Sequence, residues 1–341
     1  ASAESEGFDR TELGLPDVQL RCIEAIAAER SDVVVVLANG SVVTVADFAD
    51  HAAAILECWL GGQASGSAVA DLLLGEVNPS GKLTESIPYR LEDTTAYGNF
   101  PGGERKVFYG EGIFVGYRGY DTADAPLAHP FGFGLSYTTF AYTDLTVDVV
   151  DAGGGDLDDP VVEVAATITN TGEVTGAEVV QLYVGATDAP VPRPVHELRG
   201  FTKVTLDPGA TERVQFALSR RDLARWSIRS HAWVFDPGAY EVSVAASSRD
   251  LRLVDVVELP GEIPVERLDS YSTLAEWLAH PVGRDLLVAE MKASPVGDLS
   301  PILDDGNLVK VIGQFPIRRL LPMLGGAFTL DELDALIDTA N

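Results

Sequence analysis

The sequence predicts an α/β segment with a mainly parallel sheet, followed by an all-β segment and then a small helical extension. Three observations carry this prediction. Val33-Val34-Val35-Val36-Leu37 is an uninterrupted apolar run between two helix-like segments, the pattern of a parallel strand covered by helices on both faces. From Val161 onward apolar and polar residues alternate in short stretches separated by turn signals such as Asp207-Pro208-Gly209 and Asp236-Pro237-Gly238, the pattern of an antiparallel β-sandwich. Past Leu259-Pro260-Gly261-Glu262-Ile263-Pro264, a linker by composition, the apolar period returns to three or four residues. The corresponding segments are 1–137, 138–260 and 261–341.

In the first segment, Pro16 and Asp17 suit the start of a helix whose Val18, Leu20, Ile23, Ile26 and Ala27 recur on one face up to Arg30. The Val33–Leu37 strand closes at Asn39-Gly40. Val45 to Ala54 is expected as a second helix, Ile55 to Leu60 as a second buried strand, and Ala68 to Val77 as a third helix stopped by Asn78-Pro79-Ser80-Gly81. Between that strand and that helix, Gly61-Gly62-Gln63-Ala64-Ser65-Gly66-Ser67 lies where parallel sheets present functional groups. It fits neither common nucleotide-binding glycine pattern, and a tight turn that needs small residues accounts for it equally well. Leu83 to Pro88 is extended. Tyr97 to Gly103 and Tyr109 to Arg118 then combine aromatics, glycines and isolated charges. Such a combination suits a sugar, and it also suits loops packed by their own rings.

In the second segment, Val161 to Asn170, Glu178 to Val184, Arg213 to Leu218 and Tyr240 to Ala245 read as strands. In the third, Thr273 to Leu278, Gly283 to Met291 and Leu330 to Thr339 read as short helices, the last preceded by the capping-box pattern Thr329-Leu330-Asp331-Glu332. Their apolar faces require a partner, either this chain or a second copy.

Composition limits the function classes. With 341 residues, 46% of them hydrophobic, the chain can form two or three domains with cores. The 52 acidic and 24 basic side chains give a formal net charge of −28, which repels nucleic acid and anionic membrane surfaces. A neutral small molecule or sugar is compatible with it. No run approaches the roughly 18 apolar residues of a membrane span, and no signal segment opens the chain. Cys22 and Cys58 each lie in an apolar segment and are expected as buried free thiols. His51, His129, His196, His231 and His280 show no paired ligand spacing, so neither a metal nor another cofactor is implied.

The stretch with the densest chemistry is Glu4-Ser5-Glu6-Gly7-Phe8-Asp9-Arg10. It carries three carboxylates and an arginine around a glycine, with no apolar period, and reads as a polar loop. A carboxylic acid there can donate a proton to a leaving group if a neighbour such as Phe8 raises its pKa. Asp9 and Arg10 are expected to pair and orient the loop, and a solvated charged terminus fits the same composition.

Four motifs together resemble the C-terminal half of a family 3 glycoside hydrolase of the β-glucosidase type. They are Glu6 to Arg10, Val77 to Leu83, Tyr109 to Arg118 and Phe131-Gly132-Phe133-Gly134-Leu135-Ser136-Tyr137-Thr138-Thr139-Phe140, in that order. The resemblance covers roughly residues 1 to 260, and the tail is similar to a helical extension of some bacterial members. It implies a partial α/β sandwich domain followed by a fibronectin type III-like sandwich. It further implies a retaining exo-acting hydrolysis of β-glucosides, in which a (β/α)8 barrel supplies an aspartate nucleophile and the α/β sandwich domain supplies the acid/base glutamate. By the motif that glutamate is Glu6, with Glu4 as runner-up and Phe8 and Glu4 near the substrate. The implied substrate is an oligosaccharide or an aryl or alkyl β-glycoside. No barrel segment is present here, so a barrel-bearing partner polypeptide is expected, and a homo-oligomer is possible. Where the family often has Gly-Gln-Glu-Gly-Gly, this chain has Gly62-Gln63-Ala64-Ser65-Gly66. The contrasting expectation is a carbohydrate-binding or scaffold chain without activity.

Overall fold

The structure is a computed structural model, and it describes residues 5, 7, 8, 10–150, 156–262, 265–325 and 328–341. The chain forms two compact units, residues 1–223 with 236–261 and residues 224–235 with 262–341.

The first unit opens with α1 (Asp17–Ala27), β1 (Val34–Leu37), β2 (Ala54–Glu57) and α2 (Ser65–Leu73). Strands β1 and β2 pair in parallel with Val34 opposite Ala54 and Leu37 opposite Glu57, the pairing the apolar runs predict, but β2 ends at Glu57 rather than Leu60 and its residues are half-buried or exposed instead of buried. Val35 and Leu37 face a core shared with Val42, Val43, Val45, Phe48 and Ile87, onto which Leu20 and Ile23 of α1 pack. The other face carries Val34 and Val36, which are exposed, so the expected cover on both faces is found on one. The predicted helix over Val45–Ala54 is instead a turn with a short 3-10 segment at Ala49–His51. Val42, Val43, Thr44 and Val45 are all buried, which one face of a helix cannot achieve for four consecutive residues. At the other end, Ala53 already donates to the Val33 carbonyl at 2.8 Å. Helix α2 begins three residues before the expected Ala68 and ends earlier, because Gly75 takes φ of +78°, a left-handed stop that favours glycine. Cys22 is exposed rather than buried, since it points away from the Leu20 side of α1.

After β3 (Ile87–Pro88), α3 (Tyr117–Thr122) and β4 (Leu127–His129), the chain enters the sandwich. Its strands are β5 (Phe140–Val149), β6 (Pro160–Asn170), β7 (Gly176–Ala186), β8 (Glu197–Leu206) and β9 (Thr211–Ser219). After α4 (Arg220–Leu223) and a hairpin of β10 (Arg225–Ser227) and β11 (Ala232–Val234), it is completed by β12 (Gly238–Ser247) and β13 (Asp250–Leu259). One sheet has the order β5-β6-β9, the other β13-β12-β7-β8. Ile168, Leu218, Leu182, Val242 and Val244 are wholly buried; burying each such side chain contributes roughly 1.5–3 kcal/mol. The Tyr240 hydroxyl donates to the Asp236 carbonyl at 2.7 Å, the corner contact typical of immunoglobulin-like sandwiches. Residues 250–259, whose C-terminal end was expected to begin the linker, form the edge strand β13.

The second unit holds the β10–β11 hairpin, where Trp226 and Trp233 meet edge to face at 5.7 Å. It also holds α5 (Leu274–Ala279), α6 (Gly283–Ala293), α7 (Pro301–Asp304), α8 (Gly306–Ile312), α9 (Ile317–Leu320) and α10 (Leu330–Ala340). Thr273 and Thr329 both close capping boxes, with Glu276 and Glu332 respectively. Trp277, Leu287, Met291, Ile317 and Leu333 form a core of the unit's own, so its helices find their apolar partner within the chain. Arg229 pairs with Glu266 at 2.9 Å and also with Glu276. Among the described residues no helix is long and apolar enough to cross a membrane.

Within the first unit, polar side chains join the α/β part to the sandwich. Lys82 pairs with Glu178 at 2.9 Å, both nearly buried, and donates to the Gly134 carbonyl. The Asp121 carboxylate, 3% exposed, takes Arg249 at 2.6 Å and His196 at 3.2 Å. Burial alone would raise the pKa of Asp121, but the bonds from His196 and Arg249 outweigh it and hold the carboxyl below its ordinary value. The stabilisation from this group is therefore fully present above its unfolded pKa, near 4, and is lost as pH falls through the lower folded pKa. Asp121→Asn is expected to destabilise the first unit by about 2 kcal/mol at pH 7. Unfolding midpoints measured at pH 7 and pH 3 check this: the gap between wild type and variant should narrow on acidification.

Candidate active site

The two parallel strands bring the loops that follow them to one edge, the edge at which α/β sheets bind ligands. After β1, Asn39 is buried, and its Nδ2 donates to the Ser41 carbonyl at 2.9 Å and to Glu57 Oε2 at 3.3 Å. Glu57 is the last residue of β2. Its other oxygen accepts the Trp59 backbone N–H at 2.9 Å, and Trp59 takes φ of +49°, an uncommon conformation for a bulky side chain. Burial pushes the Glu57 carboxyl above its ordinary pKa, against the pull of the Trp59, Asn39 and Cys58 N–H donors. Beyond it, Gly61 sits where a Cβ would come within 2.8 Å of Ser65 Cβ, which explains one glycine of the Gly61–Ser67 turn by close approach alone.

The opening loop meets the same edge. Ser5 and Phe8 bridge across a turn in which the Gly7 N–H donates to Ser5 Oγ at 3.1 Å. Arg10 leaves the loop and donates to Ser41 Oγ and the Val42 carbonyl, each at 2.9 Å. Phe8 is 51% exposed. Glu4, Glu6 and Asp9 lie outside the described residues, and with them the expected acid/base group, its runner-up and the expected partner of Arg10. The end of the loop is thus tied to the segment after β1, and that segment is tied through Asn39 to the end of β2.

Of the aromatics expected either at a sugar or in packing, Tyr117 stacks on Phe131 at 4.6 Å, whereas Tyr97, Phe100 and Tyr109 are exposed. Among the described residues no three His, Cys, Asp or Glu side chains group as a metal site. Sequence reasoning missed Asn39 and Glu57. The available signal was that each is a polar residue at the carboxyl end of an apolar strand; that both strands end at one edge emerges only from the pairing.

The first unit thus joins an α/β part to an antiparallel β-sandwich. Residues 1–117 match the glycosyl hydrolase family 3 C-terminal domain, and residues 178–248 match the fibronectin type III-like domain. The chain belongs to glycoside hydrolase family 3, as the C-terminal portion of such a protein. An exo-α-(1→6)-L-arabinopyranosidase of Bifidobacterium breve is 44% identical over 95% of this chain and 42% of its own length. The thermostable β-glucosidase B of Acetivibrio thermocellus is 38% identical over 99% of this chain and 44% of its own. The crystal structure of a Bifidobacterium adolescentis family 3 β-glucosidase superposes with a TM-score of 0.77 and 48% identity, over 84% of this chain and 41% of that one. This chain therefore spans less than half the length of these relatives.

The two thiols separate by exposure: Cys22 is exposed, while Cys58, beside Glu57, is half-buried and its pKa is raised by burial and by the Glu57 charge. A thiol-specific chromogenic reagent at neutral pH is expected to titrate one thiol per native chain rapidly and the second only slowly or on unfolding. Cys22→Ser should remove the fast phase.

Proposed function

We propose that this chain is the acid/base-bearing portion of a retaining exo-acting β-glycosidase, with terminal non-reducing β-D-glucosyl residues as substrate. Glu6 is the acid/base group. The nucleophilic aspartate comes from a barrel outside this chain, whether on the same polypeptide or on a partner. The observation that carries the reading is the tie of Arg10 to Ser41 and Val42, which anchors the Glu6-bearing loop at the ligand-binding edge of a parallel sheet. The names of the relatives support the reaction class. In a retaining glycosidase two carboxyl groups lie about 5 Å apart; one attacks the anomeric carbon while the other protonates the leaving oxygen and then deprotonates water.

The relative named as an arabinopyranosidase favours a second substrate. An α-L-arabinopyranoside and a β-D-glucoside both place the leaving group equatorially, so one acid position serves either sugar. Comparing kcat/KM on the two aryl glycosides decides between them.

The first experiment is the native mass of the complex or polypeptide that contains this chain. A mass well above 36.3 kDa, with barrel sequence recovered on denaturation, is expected. A single chain, or a simple multiple of it, that retains sugar binding without hydrolysis would favour the scaffold alternative. In the complete enzyme, Glu6→Ala is expected to lower turnover of poor leaving groups by about a hundredfold to ten-thousandfold and that of activated aryl glycosides far less. Azide should rescue the activated substrates. Equal loss on both, without rescue, would sink the assignment.

A further inference from the structure

Asn39 is more than nine-tenths buried, and both of its amide contacts go to acceptors, the Ser41 carbonyl and Glu57 Oε2. The orientation of its amide is therefore fixed: turned over, Oδ1 would face a carbonyl and a carboxylate. The Oδ1 atom has no partner among the described residues. Glu57 uses both oxygens, one for Asn39 and one for the Trp59 N–H.

We propose that Glu57 and Asn39 are positioning residues for the loop that carries Glu6, an inference that rests on the acid/base reading above. Their route to the loop is continuous. Glu57 holds Asn39, Asn39 holds the Ser41 carbonyl, and Ser41 and Val42 receive the Arg10 guanidinium that ends the loop. A carboxylate is the side chain of this length that accepts on both oxygens at once. Glutamine has one acceptor and one donor group, so whichever way its amide turns it must present N–H either to the Trp59 N–H or to Asn39 Nδ2. To relieve the second clash Asn39 would have to turn, giving up Ser41. Glu57→Gln, nearly unchanged in shape, is therefore expected to act like Asn39→Ala and to loosen the Arg10 anchor.

The test is made in the complete enzyme with aryl β-D-glucosides graded from good to poor leaving groups, beside Glu6→Gln as the reference, and with thermal unfolding followed for every variant. Glu57→Gln and Asn39→Ala are each expected to lose roughly ten- to hundredfold in kcat/KM on the poorest leaving groups, the cost of misplacing a catalytic group by a fraction of an ångström to one ångström. On the most activated, where proton donation matters least, the loss should stay within about twofold. A merely structural role would instead lower activity evenly across the series. An even loss, or none, beside a steep dependence in Glu6→Gln would overturn the positioning role and leave the acid/base reading intact. An even loss in Glu6→Gln itself would remove that reading, and this proposal with it.

Discussion

The parallel pairing of Val34–Leu37 with Ala54–Glu57 is the constraint on which the candidate site depends. Parallel strands end on the same side, and the residues just past their ends must turn there, with backbone groups that no ladder satisfies. Asn39 and Glu57 each meet that demand for the loop after their own strand: the Asn39 amide bonds the Ser41 carbonyl, and the Glu57 carboxylate bonds the Trp59 N–H. The pair that links the two strand ends also satisfies two backbone groups of the loops beyond them. A loop docked on that edge by Arg10 inherits the rigidity of the sheet below.

Behind this edge stands a second set of polar contacts, and it involves the very motifs by which the chain resembles its family. Asn78 accepts from Ser136 Oγ and the Tyr137 N–H and donates to the Thr175 carbonyl. Lys82 bridges Gly134 and Glu178, and the Tyr117 hydroxyl accepts the Leu198 N–H at 2.7 Å. These residues join the α/β part to the sandwich. A buried ion pair such as Lys82–Glu178 brings little net stability over an apolar pair of equal volume, because desolvation offsets its attraction. What it imposes is orientation, since a misdocked sandwich would leave Glu178 buried without its cation. Three of the four recognisable motifs thus carry seam residues, and only the Glu6–Arg10 stretch is assigned chemistry.

What the sequence made legible follows the same division between centre and margin. The strands read from alternation, β6, β7, β9 and β12, include all three that have neighbours on both sides, where burial enforces the pattern. The strands not read, β5, β8 and β13, are edges. Strand β5 is interrupted at Asp144, with φ of +54° and a shift of register between Thr143 and Thr146, and an edge so bent keeps no clean period. The segment at Val45 has a helical composition, but register decided it: too few residues separate the buried Val42–Val45 run from the ladder at Ala53. The capping boxes at Thr329 and Thr273 are local, and the first was readable for that reason. Asn39 and Glu57 are 18 residues apart, and only the pairing of the strands brings them together.

A catalytic carboxyl acting on a group held elsewhere in the protein has an exacting geometric requirement, because effective molarity falls steeply with small displacements. A loop of polar residues and a glycine does not meet it unaided, since each free backbone residue carries roughly 1–2 kcal/mol of conformational entropy. Anchoring such a loop at its end is effective where the anchor is multidentate and its acceptors are themselves fixed. Arg10 meets the first condition, its Nη1 donating to both Ser41 Oγ and the Val42 carbonyl. The Asn39–Glu57 pair meets the second, and it does so from the rigid end of a strand rather than from another loop. The raised pKa of Glu57 is the electrostatic cost of that arrangement, a carboxylate drawn from water to hold two N–H groups in place.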